Sequence, residues 1–204
     1  DTDEFNVGLY GRWQFADGWY ADAATGYDLS QQKYKFAGIS GSSDADASAW
    51  SAYLESGYQI SLDEWYVTPA VALQYTHMRL PDSIDVGGVY EVDSYRRESL
   101  QGLAMVKGGR SFVTPWETNG AAELRLAWQH EMLDNDAGVS ASVAGVPGSA
   151  FTTPSVGMPR DTFHVGVGVS VELAPQWTLG LDYDCELGSL YQRHPGSLSL
   201  RYDF

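Results

Sequence analysis

Three acidic side chains at two-residue spacing, Asp182, Asp184 and Glu186, form the most suggestive chemical cluster in the sequence. An extended strand puts all three on one face, where they could gather a divalent cation. The plainer reading, favoured here, is a hydrated acidic wall paired with Arg125 or Arg201. The four histidines, His77, His130, His164 and His194, follow no metal spacing, and no His-Glu-x-x-His occurs. His194 with Asp82 or Asp134 could imitate a hydrolytic Asp–His pair, but no spacing supports it. Cys185 is alone, which excludes a disulfide framework and a cysteine-based metal site. There is no phosphate-cradling loop, no Gly-x-Ser-x-Gly elbow and no basic-aromatic stripe. The expectation is a chain with no catalytic residue, no metal and no cofactor.

Composition narrows the class. In 204 residues there are 27 Asp and Glu against 12 Lys and Arg, a net charge of −15, which would repel phosphate backbones and excludes nucleic acid as a partner. Thirteen Tyr, 7 Trp and 22 Gly suit β architecture, where aromatic side chains can cover glycines. No apolar run approaches the ~20 residues of a membrane helix. Strands cross a membrane while only half apolar, so a modest mean hydropathy of −0.27 does not exclude a membrane barrel. The sequence opens at Asp1-Thr2-Asp3 with no basic and apolar leader pattern, so the expectation is a removed signal or an internal start.

The elements that carry these residues alternate with period two. The last stretch is the clearest: Leu198, Leu200, Tyr202 and Phe204 on one face, Ser197, Ser199, Arg201 and Asp203 on the other. Upstream, the same pattern predicts strands over Phe5–Phe15, Trp19 to about Leu29, Trp50–Leu62, Trp65–Met78, about Tyr95–Phe112, Ala121–Met132, Phe163–Leu173 and from Trp177 through Cys185. The polar faces carry Tyr10 and Arg12, then Tyr53, Glu55 and Gly57, then Glu123 and Arg125, then Gly166 and Gly168, then Asp182 and Asp184. The fifth strand alternates less cleanly, which suggests a bulge, and Pro69 sits awkwardly inside the fourth. Gly38–Asp46 reads as a flexible loop, and 79–94 and 133–160 read as long loops.

Connections sort by parity. Those at 16–18, 63–64, 113–120 and 174–176 are short, whereas those near 30–49, 79–94, 133–160 and 188–196 are longer. Short turns at one end and long loops at the other are the topology of outer-membrane barrels. Trp19, Trp65, Trp116 and Trp177 each stand at or beside a short turn, as an interfacial aromatic girdle would place them. The glycines on the polar faces (Gly8, Gly57, Gly166, Gly168 and Gly180) either leave lumen space or let the sheet curve beneath an aromatic cover.

Several blocks in order carry a resemblance. Asn6–Gly11, Gly18–Asp22, Glu55–Tyr58 and Thr68–Tyr75, followed by a terminal aromatic at Phe204, look like the translocator domain of autotransporters, a family that carries a Pro within a strand. The resemblance covers nearly the whole chain. It implies an all-β, antiparallel up-and-down transmembrane β-barrel of twelve strands in the outer membrane of a Gram-negative bacterium. About nine strands are legible, so residues 1–204 read as a translocator domain lacking its N-terminal strands and linker helix. Nine is also odd, and a bacterial single-chain barrel has an even number of strands.

The resemblance further implies a covalently linked upstream passenger secreted to the cell surface, contact with the lipid bilayer, and insertion by the outer-membrane barrel assembly machinery. Leu198, Leu200, Tyr202 and Phe204 would be the membrane-insertion signal. Tyr10, Arg12, Tyr53, Glu55, Gly57, Glu123, Arg125, Gly166, Gly168, Asp182, Asp184 and Arg201 would face the lumen. Two alternatives stay open: a stand-alone outer-membrane pore or adhesin-like barrel without a passenger, and a soluble β-barrel around an apolar ligand. The parity of loop lengths argues against the last.

Overall fold

Side chains that alternate apolar and polar can keep one face uniform only in an extended, pleated chain. The computed structural model, which describes residues 2–35, 42–80, 84–86, 88–133, 138–154 and 159–202, is built from such chain almost throughout. Its strands are β1 (Thr2–Gln14), β2 (Trp19–Lys35), β3 (Ser42–Tyr58), β4 (Ile60–Leu62), β5 (Trp65–Leu80), β6 (Ile84–Val86), β7 (Tyr90–Val92), β8 (Tyr95–Val113), β9 (Asn119–Glu131), β10 (Gly138–Val143), β11 (Phe151–Pro154), β12 (Asp161–Ala174), β13 (Trp177–Gly188), β14 (Gln192–Arg193) and β15 (Gly196–Tyr202). The principal sheet is an antiparallel meander in the order β1-β2-β3-β5-β8-β9-β12-β13-β15. Each of these strands pairs with its neighbours along the chain, which is the up-and-down all-β architecture expected.

Register assigns the faces, because directly opposed residues share one. Trp65, Val67, Pro69, Val71, Leu73 and Tyr75 of β5 lie on the same side as Phe163, Val165, Val167 and Val169 of β12 and as Leu198, Leu200 and Tyr202 of β15. Between the level of Trp65 and that of His77, the one charged pair this apolar face carries among the described residues is Asp161 of β12 with His130 of β9, 2.9 Å apart at the long-loop end of both strands. The other ion pairs of this face stand at its margins, Arg110 with Glu64 at the short-turn end and His77 with Glu98 at the other. The large residues of this face are nonetheless exposed, Val71 by 63% and Leu62 by 56%. Burial sits on the opposite face, at Tyr20, Glu55, Gly57, Thr68, Ala70 and Ala72, so the sheet curls around its polar side.

The turns explain two sequence oddities. Asp17 and Gly18 take positive φ of 67° and 88° in the β1–β2 turn. The Gly18 carbonyl accepts the Gln59 amide at 2.9 Å, and a Cβ at Gly18 would lie 2.6 Å from the Gln59 oxygen. Only glycine allows that approach. Gln59 is thereby pulled out of line and splits the third predicted strand into β3 and β4. The β3–β5 ladder stops at Gly57–Ala70 and resumes as β4–β5 at Ile60–Val67. Pro69, which has no N–H to give, stands opposite this gap, so its place inside a strand loses no rung.

Three expectations need correction. The fifth predicted strand holds no bulge: β8 pairs without a break from Tyr95 to Arg110 with β5 and from Gln101 to Val113 with β9. Its alternation is blurred because Leu103 and Met105 put apolar side chains on the polar face. The Gly38–Asp46 loop is shorter than expected, since β2 and β3 continue pairing to Lys35–Ser42; residues 36–41 lie outside the described residues. The sequence of this extension is mostly polar and offers no apolar period to read. The long loops at 79–94 and 133–160 contain a second sheet in the order β11-β10-β7-β6, in which segments distant in sequence pair as Ala141–Val92 through Val143–Tyr90.

Candidate functional site

The polar face is where the chain places its chemistry, and bridges between its side chains skip strands. Lys107 of β8 reaches over β5 to Glu55 of β3 at 3.9 Å. Tyr66 of β5 reaches over β8 and donates to Glu123 of β9 at 2.5 Å. Arg125 of β9 reaches over β12 to Asp182 at 2.9 Å and Asp184 at 3.2 Å, both on β13. Strands are ~4.8 Å apart, so each bridge spans about 10 Å of sheet. Only small side chains on the skipped strand allow it.

Those small residues are present at each crossing. Beneath the Arg125 bridge lie Gly166 and Gly168; a Cβ at Gly168 would meet Asp182 Oδ1 at 2.6 Å and Arg125 Nη1 at 3.1 Å. Gly109 lies directly under the Tyr66 ring. Thr68, Ala70 and Ala72 lie beneath the Lys107–Glu55 bridge. Of the glycines predicted for the polar face, Gly57, Gly166 and Gly168 are crossing points for charged and aromatic arms, whereas Gly8 meets only backbone and Gly180 only Ser199.

The second cluster is centred on Glu55, which is 5% exposed. Tyr20 donates to its Oε1 at 2.6 Å, and Tyr53 donates to its Oε2. The Tyr20 ring lies flat over Gly57, where a Cβ would approach the hydroxyl to 2.6 Å and Cε1 to 2.7 Å. Arg12 grips Asp22 through two bonds of 2.7 and 2.6 Å while its guanidinium stacks 4.9 Å from the Tyr20 ring centroid. A buried carboxylate is tolerated when its oxygens are satisfied in this way. Arg12, Tyr20, Tyr66, Lys107 and Glu123 line a common cavity of about 510 Å³ near the short-turn end.

Of the candidate residues, Arg12, Tyr53, Glu55, Gly57, Glu123, Arg125, Gly166, Gly168, Asp182 and Asp184 fall into these two clusters. Tyr10 shares their face but is 93% exposed on β1. Arg201 shares it too, opposite Thr178 on β15, away from the Arg125 cluster. Glu186 separates from the other two acids and lies near Arg193 at 3.5 Å and His164 at 3.9 Å. Leu198, Leu200 and Tyr202 lie on the apolar face of β15, whereas Phe204 is outside the described residues. So are Asp82 and Asp134. His194 bonds the Tyr183 hydroxyl at 2.9 Å.

Sequence reasoning passed over Tyr20, Asp22, Tyr66, Lys107 and Glu131. The first four occupy polar-face positions by period two and could have been found from it. Glu131 could not. It is 1% exposed and accepts from Ser99 Oγ at 2.5 Å, the Leu100 amide at 3.0 Å and the Leu133 amide at 3.1 Å, tying the end of β9 to β8. Nothing local announces a carboxylate satisfied by a neighbouring strand. Among the described residues no group of three His, Cys, Asp or Glu side chains could hold a metal ion.

The family model for the autotransporter β-domain matches residues 1–184. Extracellular serine protease of Serratia marcescens is 27% identical over 220 residues, covering 100% of this chain and 20% of that protein. Outer membrane protein B of Rickettsia japonica is 23% identical over 226 residues, covering 100% of this chain and 13% of that protein. The chain thus spans a fifth or less of these relatives' length. In fold, it is similar to the translocator domain of NalP from Neisseria meningitidis, with TM-score 0.69 and 17% identity over 100% of this chain and 66% of that one. The β domain of the Bordetella autotransporter BrkA gives 0.64 and 19%, over 100% and 74% respectively.

Proposed function

The chain belongs to the autotransporter β-domain family, and from that premise we propose how its two faces serve secretion. The family is one of transporters, the location is the bacterial outer membrane, and the chain is an outer-membrane translocator domain for passenger secretion. The apolar face of the meander is the lipid contact, and the polar face lines the lumen. The observation that carries this is the apolar band on the exposed face, interrupted among the described residues by the Asp161–His130 pair near its long-loop edge. Trp50 pairs with His77, twelve residues along β5 from Trp65. At ~3.4 Å per residue and a tilt of ~40° this spans about 30 Å, close to the apolar height of a membrane barrel.

Tyr10, Arg12, Tyr53, Glu55, Gly57, Glu123, Arg125, Gly166, Gly168, Asp182, Asp184 and Arg201 are then lumen-facing. The clusters around Glu55 and Arg125 brace the wall without filling the lumen, since each is held flat against glycine or alanine. Sheet edges in lipid leave several kcal/mol of unsatisfied backbone per group. Among the described residues β1 and β15 do not pair, and residues 1–204 are accordingly read as an arc that further strands complete into a barrel. A covalently linked upstream passenger and insertion by the barrel assembly machinery belong to the same reading. We assign no catalysis to this chain; the protease in the Serratia protein's name is that protein's own.

The terminal strand supplies the test. Leu198, Leu200 and Tyr202, with Phe204, form the insertion signal. Replacing Leu198, Leu200 and Tyr202 together by Asn in the full-length protein is expected to remove the barrel from the outer-membrane fraction. The same change is expected to abolish protease access to the passenger on intact cells. A passenger that stays inside while the unaltered barrel sits in the membrane would overturn the secretion role and favour a stand-alone pore. A barrel that inserts normally without these side chains would overturn the signal.

A further inference from the structure

The lipid-facing side of the sheet is not a smooth apolar wall. Ser56 and Ala104 are small residues set among Leu54, Val71, Leu73 and Trp128, and they floor a trough of about 480 Å³ across β3, β5, β8 and β9, bounded by His130 and by Met132, which covers Gly102. A neighbouring trough of about 470 Å³ runs toward Phe163 and Val165 on β12 and shares Ala104 and Trp128 with the first. Two adjacent apolar troughs suit more than one acyl chain. Scattered lipid would fill them without preference unless something above them selects a headgroup.

Such a feature stands on the same two strands. Above the Leu73–Gly102 rung come Tyr75–Leu100, His77–Glu98 and then Arg79–Arg96, all on the apolar face. Arg79 and Arg96 are directly opposed and exposed, and among the described residues neither has a carboxylate partner. Like charges directly opposite each other destabilise a sheet. Of the carboxylates flanking the pair on that face, Glu98 is held by His77 at 3.2 Å, and Asp46 of β3 stands two residues beyond Ser48, which faces Arg79. Six residues separate Leu73 from Arg79, about 20 Å along the strand, comparable with an extended acyl chain. Two guanidiniums side by side present the bidentate donors that phosphate takes best.

We propose that this surface is a seat for one phosphorylated, multiply acylated lipid of the outer leaflet, its phosphate on Arg79 and Arg96 and its chains in the two troughs. The proposal rests on the membrane reading above, which places long loops at the cell surface. The occupant's role would be to neutralise the arginine pair and fix the depth of the β5–β8 hairpin.

The test uses the full-length protein in phosphatidylcholine nanodiscs, titrated with bis-phosphorylated lipid A and with dephosphorylated lipid A. Retained lipid is read by native mass spectrometry. The wild type is expected to prefer the phosphorylated form by roughly tenfold or more, the equivalent of about 1.4 kcal/mol. Arg79→Glu with Arg96→Glu is expected to erase the preference, and Arg79→Lys with Arg96→Lys to keep part of it. Ala104→Phe, which fills the shared floor of the troughs, is expected to weaken both lipids. Equal retention of the two lipids by the wild type would overturn the proposal, and that comparison needs no variant to fold. A wild type that inserts and is heat-modifiable yet shows no preference would defeat the lipid seat alone; one that does not enter the membrane would defeat the translocator reading as well.

Discussion

Gly57→Leu is expected to destabilise the folded barrel by about 3 kcal/mol or more, read as the urea midpoint of the heat-modifiable form of the full-length protein. Overpacking a close contact costs about 1–3 kcal/mol, and depriving a buried carboxylate of a donor costs about as much again. Both apply here, because a Cβ at Gly57 would meet the Tyr20 hydroxyl at 2.6 Å and lever the ring off Glu55. Tyr20→Ala alone should lose the Glu55 bond and the stacking of Arg12. Combined with Gly57→Leu it should lose much less than the two effects added, because the clash no longer exists. Additive losses would mean that Tyr20 and Gly57 do not interlock.

The next largest effect is expected at Arg125. Arg125→Ala leaves Glu123, Asp182 and Asp184 facing one another without their shared cation, and should destabilise the fold by about 2–3 kcal/mol. That figure is held below the value for a fully buried pair because the Arg125 side chain is 28% exposed. Arg125→Lys is expected to recover only part of the loss, since one ammonium cannot serve two carboxylates as the planar fork does. Adding Asp182→Asn and Asp184→Asn to Arg125→Ala should restore stability by removing the repulsion. If the triple variant is no better than Arg125→Ala, the guanidinium acts through packing over Gly166 and Gly168.

Period two carried most of what could be read from the sequence. It assigned Phe163–Leu173 and Trp177–Cys185 to strands and put Arg125, Asp182 and Asp184 on one face, which made Arg125 a candidate partner for the acids. It could not say that Arg125 crosses over Gly166 and Gly168, because such a bridge depends on the curl of the sheet. It failed at β8, where Leu103 and Met105 contradict the alternation. Beyond the apolar band it had nothing to follow: β2 and β3 run on through a mostly polar sequence of Ser, Gln, Lys and Asp. The pairing of β7 with β10 joins residues about fifty apart, and only the brought-together strand ends set it.

The central claim is that lipid covers the exposed apolar face, and a pair of substitutions tests it with little else changed. Val71 and Leu62 are about equally exposed on that face, but Val71 lies midway between Trp65 and His77, whereas Leu62 pairs with Trp65 beside a short turn. In a bilayer, Val71→Arg is expected to cost about 2–4 kcal/mol and Leu62→Arg about 0–1 kcal/mol, both measured by reversible unfolding of the full-length protein from vesicles. Two small and equal effects would mean that water covers this face, and the translocator account would be wrong.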